Sequence, residues 1–216
     1  MAKDGLALGD EAQQELLTAL RSGALREGQF VSMSQLVDLL GRPLAPVRDA
    51  VKQASAHGFL TTLPKRGIQV MEATPETIRA CLDFRMTLDQ EGARRRISTG
   101  NLGDLPTIRA HHEEIRDKAA STSGADLPPQ AIRVDLSLHD HLAAGLDNPL
   151  LSDAYEINRV RIQIIQNVRP FLHDRIVSAM TEHLAIIDAL ETRDTDAACK
   201  AIQTHCTHTL RWWGVT

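Results

Sequence analysis

Eight of the nine histidines in this chain follow residue 100, and imidazoles with carboxylates are the side chains that hold borderline divalent metals. Asp135 and His139, in VDLSLHDH, stand four residues apart. On a helix that spacing turns a carboxylate oxygen and a ring nitrogen toward one point. D-x-x-x-H also arises by chance, and hydrogen-bonded core histidines are the alternative. Elsewhere the chemistry is cationic: between residues 42 and 66, Arg42, Arg48, Lys52, Lys65 and Arg66 face only Asp49. Such a local excess of base suits phosphates. Two further arginines interrupt apolar rows at helical spacing, Arg85 among Ile78, Cys81, Leu82 and Leu88, and Arg161 among Ala154, Ile157, Ile164 and Val168. A buried guanidinium needs an anion. Either a bound carboxylate or a salt bridge with Asp89, Glu91 or Glu156 meets that need. Arg94-Arg95-Arg96 and the His111-His112 pair read as solvated.

These groups must be positioned by 216 residues, enough for one large domain or two small ones, with 43% apolar and 3% aromatic residues. The formal charge of −4 is unevenly spread: residues 1–71 carry 8 basic and 7 acidic side chains, net +1, and residues 72–216 carry 16 and 21, net −5. Three cysteines without C-x-x-C spacing argue against a disulfide scaffold and for a reducing, cytoplasmic setting. No apolar run reaches the roughly 18–20 residues of a membrane span, and acids occupy the N-terminal stretch where a signal peptide needs apolar residues.

The apolar period predicts a helix over 10–22, a second after the S-x-x-Q capping box Ser32–Gln35, and a third over 44–57 ended by Gly58. Phe59–Leu63, the turn Pro64–Gly67 and Ile68–Val70 predict a β-hairpin. Beyond Thr74-Pro75 only helical periods occur, over 75–99, 104–120, 129–146, 149–170, 174–192 and 195–213, with breaks at Gly100, Gly124 and Pro128-Pro129. Residues 121–130 are the most loop-like stretch. The chain divides into a helix-plus-hairpin domain over 1–71 and an all-helical domain over 75–213.

Helix, Gly turn, helix and basic hairpin is the order of a winged helix-turn-helix. Residues 41–70 resemble that module in the GntR family, through Gly41, Pro46, Val47, Arg48, Asp49, Ala50, Val51, Gly58, Phe59 and Arg66-Gly67. The resemblance implies that Arg48 contacts bases and that Gly67 lets the hairpin turn approach the minor groove. Lys52, Lys65 and Arg66 complete the expected DNA-binding set, the bases suiting phosphates by charge. Pro43, Leu44 and Ala45 stand where the family commonly has a Ser or Thr cap, then Arg and Thr. A missing cap typically costs about 1 kcal/mol, and a missing bidentate Arg–guanine pair roughly 1–3 kcal/mol of discrimination. Sequence reading is expected to be weakened or retargeted.

Residues 129–213 resemble the FCD effector domain of the FadR-like branch of that family: the D-x-x-x-H helix, Asn148–Leu151, then Glu182, His183, Ile186, Ala189, Leu190, Asp194 and Ala198. The resemblance implies a divalent cation held by Asp135, His139, His183 and His205. Three imidazoles favour zinc or nickel over magnesium, and four protein ligands leave one or two positions open for an effector oxygen. Arg85 and Arg161 are the candidate effector-binding residues. The expected protein is mostly α, a winged helix-turn-helix followed by an all-helical antiparallel bundle. It acts as a homodimer on double-stranded operator DNA, represses, and responds to a small organic carboxylate. Homodimerisation follows from the small surface that one recognition helix buries. A helical metal-binding module that has lost specific DNA binding is the alternative. A metal hydrolase is a more distant one, since Glu182 alone adjoins a ligand and i, i+1 neighbours do not share a helix face.

Overall fold

The computed structural model describes residues 2–121, 127–169 and 171–215. In chain order the elements are α1 (Ala2–Ser22), β1 (Phe30–Val31), α2 (Met33–Leu40), α3 (Leu44–Ala56), β2 (Leu60–Leu63), β3 (Gly67–Val70), α4 (Pro75–Thr99), α5 (Leu105–Ser121), α6 (Leu127–Ala144), α7 (Pro149–Gln166), α8 (His173–Glu191) and α9 (Thr195–Trp212). They form two compact units, Met1–Thr77 with Arg159–Val168, and Ile78–Asn158 with Arg169–Thr216.

In the first unit α2 and α3 start differently. Ser32 caps α2 by accepting from the Gln35 amide while the Gln35 side chain accepts from the Ser32 amide at 2.7 Å, a complete capping box. Gly41 ends α2 in the left-handed region at φ 61°. At the start of α3 the cap position is Pro43, which supplies no side-chain bond. Val47, Ala50, Val51 and Ala54 form the buried face of α3, which packs on α1, α2 and β2. The sheet is antiparallel in the order β1-β3-β2, with Thr61 opposite Gln69 and Phe30 on the other side of Gln69. Strand β1 was not foreseen, because two residues carry no period. It gives Gly67 a structural reason: at φ 97° a Cβ there would lie 2.8 Å from the Val31 carbonyl oxygen.

The second unit packs α8 against α5, α6 and α9 around Leu138, Leu142, Ile186, Ile187, Leu190 and Ile202. Side chains of Thr74, Asn148 and Asp194 accept from backbone amides at the starts of α4, α7 and α9. Pro128 and Pro129 do not break α6 as expected; they lie in its first turn, where amide hydrogens have no intrahelical partner. The break expected at Gly124 lies outside the described residues. Helix α7 ends at Gln166, short of the expected 170.

One close approach sets the site that follows. A Cβ on Gly92 would fall on the carbonyl of Leu142, so α4 and α6 meet backbone to backbone. Three residues earlier on each helix are Asp89 and His139, and their side chains meet. Arg96, expected in solvent, is 8% exposed and donates to the carbonyls of His141 at 2.8 Å and Asn101 at 3.1 Å.

Candidate metal centre

Asp135 and His139 from α6, His183 from α8 and His205 from α9 are all buried, each offering a ligand atom within 4.8 Å of the others'. His183 Nε2 lies 3.2 Å from His205 Nε2 and 3.6 Å from Asp135 Oδ1. The helical period supplies the first pair, one turn apart on α6. The other two converge because α6 and α9 both pack on α8.

Behind the four stands a ring of groups that orient them. His139 donates from Nδ1 to Asp89 Oδ2 at 2.8 Å, and His205 from Nδ1 to Glu182 Oε2 at 2.8 Å. His183 Nδ1 faces His112 Nε2 at 3.1 Å. Each imidazole therefore turns its Nδ1 outward and its Nε2 inward, the arrangement that a carboxylate–histidine–metal contact requires. His139 Nε2 is buried and has no hydrogen-bond partner among the described residues. An orphaned buried nitrogen costs stability unless something accepts its lone pair. A cation does so, and the set of one carboxylate and three imidazoles fits a borderline divalent ion.

Electrostatics point the same way. Burial, then the Arg85 charge, holds His139 well below its ordinary pKa; burial, then the charges of His205 and His139, does the same for His183. Burial also lowers His205, although its Glu182 bond opposes the shift. The ring nitrogens are thus available as ligands rather than protonated. Burial raises Asp89 to about 7 against the attraction of Arg85, a shift that a cation in the cluster would oppose. Glu182 is held at about 2: burial would raise it, but its bonds from His205 and Arg175 prevail.

Arg85 is 4% exposed and its nearest anion is Asp89, 4.0 Å from Nε, which is looser than a hydrogen bond. Arg161, the other effector candidate, belongs to the first unit, where it donates to the carbonyl of His57 at the end of α3 at 2.7 Å. His112, read from sequence as solvated, is fully buried and stands behind His183. Its signal was available, since Ile108, His112, Ile115 and Ala119 share one helical face, but a His-His pair in a polar stretch masks it. Glu182 cannot serve as a hydrolytic base. Its Oε1 binds Arg175 at 2.6 Å and His208 at 2.9 Å, and its Oε2 binds Arg175 and His205, both at 2.8 Å.

In the first unit Arg48, Lys52, Lys65 and Arg66 are exposed, and no side chain among the described residues pairs with them. Leu44 is 47% exposed, and Leu44, Arg48 and Lys52 follow at four-residue steps along one face of α3. Arg42 leaves the basic set: Glu11 and Glu15 of α1 bind it at 2.5 and 3.4 Å. No described helix is long and apolar enough to cross a membrane.

A small sheet beside three helices in a winged helix-turn-helix-like unit, followed by a helical domain with a buried Asp/His cluster, is the architecture of a class of transcriptional regulators. The FCD-domain family matches residues 80–208, and the chain belongs to the GntR-family transcriptional regulators that carry an FCD C-terminal domain. An HTH-type transcriptional regulator of Bacillus subtilis (strain 168), YdhC, is 20% identical over 194 residues, covering 90% of this chain and 85% of that protein. Among solved structures, E. coli McbR/YncC superposes with a TM-score of 0.77 at 17% identity, covering 96% of this chain and 97% of that one. A GntR-type regulator from Rhodococcus sp. RHA1 superposes with a TM-score of 0.76 at 18% identity, covering 96% and 98%. At these identities the structures establish the shared fold. The relatives are transcriptional regulators, not enzymes.

Proposed function

We propose that the chain is a repressor that binds operator DNA as a homodimer through α3 and the β2–β3 turn, and that a small organic carboxylate, bound at a divalent ion in the helical unit, controls that binding. The observation that carries the reading is complementary spare capacity. Four exposed bases of the first unit lack side-chain partners among the described residues, and inward-facing imidazole nitrogens, one of them orphaned among those residues, gather in the second. The first suits a polyanion, and the second a cation with coordination positions left for an anionic oxygen. Zinc or nickel would be held by Asp135, His139, His183 and His205. When bound, the ion supplies Lewis acidity toward a carboxylate. Arg85 supplies the second handle, a planar fork able to take both carboxyl oxygens.

Binding of DNA fragments from upstream of the protein's own gene tests the reading, in metal-loaded and metal-stripped protein, with a panel of small carboxylates. A carboxylate is expected to change operator affinity in loaded protein only. Absence of any preference over random DNA would favour the second reading, an interaction module without specific DNA binding. Exposed Leu44 in place of a base-reading arginine is the feature that speaks for it.

A further inference from the structure

The proton on one imidazole of the cluster is set from outside it. His112 lies on α5, is 0% exposed, and has Nδ1 2.7 Å from the carbonyl oxygen of Ile108. A carbonyl oxygen only accepts, so His112 Nδ1 must carry the hydrogen. A neutral imidazole carries one ring hydrogen, and no carboxylate among the described residues is hydrogen-bonded to this ring. His112 Nε2 is therefore a bare acceptor. It faces His183 Nδ1 at 3.1 Å, so that nitrogen must donate, which leaves His183 Nε2 bare and pointing at His205 and Asp135.

We infer that His112 is a positioning residue for the metal centre: through the Ile108 carbonyl it fixes the Nδ1–H form of His183, the only neutral form whose Nε2 can ligate. The opposite form fails on geometry. With the hydrogen on Nε2, His183 could donate to His205, but its Nδ1 would then need a donor from His112 Nε2. That would leave His112 Nδ1 and the Ile108 oxygen as two lone pairs 2.7 Å apart. In the form that remains, His183 Nε2 and His205 Nε2 are both bare at 3.2 Å, since His205 donates its hydrogen to Glu182. Two facing lone pairs at that distance need a cation between them. The Asp89 and Glu182 carboxylates do for His139 and His205 what a neutral relay, Ile108–His112, does for His183.

The inference rests on the metal reading for its consequence but not for its geometry, and the two fail separately. Long-range proton–nitrogen NMR of metal-free wild-type protein reports which nitrogen of His183 carries the hydrogen; Nδ1–H is expected, and Nε2–H overturns the relay whether or not metal binds. Zinc affinity by chelator competition is then compared across variants. His112→Phe keeps a ring but removes the acceptor, and a loss of roughly 10–100-fold is expected, as for other partners behind metal ligands. His112→Gln retains an acceptor oxygen and should recover most of that loss. Equal zinc affinity in His112→Phe and wild type overturns the inference, as does failure of a folded Gln variant to outperform Phe. If wild-type protein holds no metal at all, the metal reading falls, while the NMR result still decides the relay.

Discussion

Among the described residues Arg48, Lys52, Lys65 and Arg66 stand in solvent without side-chain partners, whereas Arg85, Asp89, Arg175 and Glu182 are largely buried around the helical cluster. Both regions are charged, yet their physics differs. An exposed base costs little to keep, is screened by salt, and releases counterions when it meets a phosphate. A buried charge needs a partner in the folded chain, and around the cluster Glu182 is held by Arg175 and His205, while His139 Nε2 and Asp89 Oδ1 are left without a hydrogen bond among the described residues. Exposed positions such as Pro43, Leu44 and Ala45 can therefore change without endangering the fold. The buried region cannot lose one member without stranding another.

The sharpest way to break this contrast is to remove a buried ligand. His183→Ala should reduce bound metal from about one ion per chain toward none, and should cost the stability that a tight ligand confers, about 3–4 kcal/mol at 100 to 1,000 times its Kd. Elemental analysis with thermal melting checks both. An unchanged metal content and melting temperature would return the histidines to the role of ordinary core.

On the exposed side the effects should separate by kind. Arg48→Ala should cut the preference for operator over random DNA by roughly 1–3 kcal/mol, while Lys65→Ala should weaken all sequences alike and lower the salt slope by about one. Leu44→Arg should retarget or tighten binding. Binding isotherms at several salt concentrations resolve these outcomes, and equal losses on both DNAs for both variants would remove Arg48 from base reading.

Within the buried region Arg85 is only loosely paired. Arg85→Lys keeps the charge and loses the fork, so carboxylate affinity should fall about tenfold, on the order of 1.4 kcal/mol, with metal content unchanged. Calorimetry on wild type, variant and metal-stripped protein measures it. Equal binding by all three would sink the carboxylate site.

Much of this arrangement was legible in the residues because period and spacing encode it. Helical periods with their caps placed the helices, two apolar runs about a turn placed β2 and β3, and i, i+4 geometry paired Asp135 with His139. His183 and His205 came from resemblance alone, since convergence across helices leaves no spacing to read. What stayed hidden had no local signal. Arg96 looks like a helix-end charge until its carbonyl partners on other segments are seen, Arg161 looks like Arg85 on periodicity, and Gly92 gives no hint that α6 crosses its Cα.

A further test of buried charge is acid. His141 is buried, and its pKa is pushed from 6.5 to about 4 by burial and then by Arg96. Its folded value lies below its unfolded one, so between about 4 and 6.5 the unfolded chain binds more protons. Stability is full above about 6.5 and falls as pH drops toward 4. The other buried histidines act in the same direction, so His141→Leu should flatten the slope of melting temperature against pH without abolishing it. An identical slope in the variant would show that His141 does not titrate on unfolding.

The smallest expected effects compare the two helices of the DNA-reading motif with each other. Ser32→Ala removes the hydroxyl that accepts from Gln35 N at 3.2 Å and should cost about 1 kcal/mol. Pro43→Ser would add the hydroxyl that α3 lacks, a gain of similar size. The same substitution also frees a backbone that proline restricts in the unfolded chain, which costs about 0.4–1 kcal/mol. The terms nearly cancel, so Pro43→Ser should shift stability by less than about 0.6 kcal/mol. Urea titration of both variants decides between this account and one in which α3 is destabilised by its bare cap. A gain of more than about 1 kcal/mol in Pro43→Ser would mean that proline does not stiffen the unfolded chain here. It would also mean that the surface helix carries a real stability deficit, of the kind the buried cluster cannot tolerate.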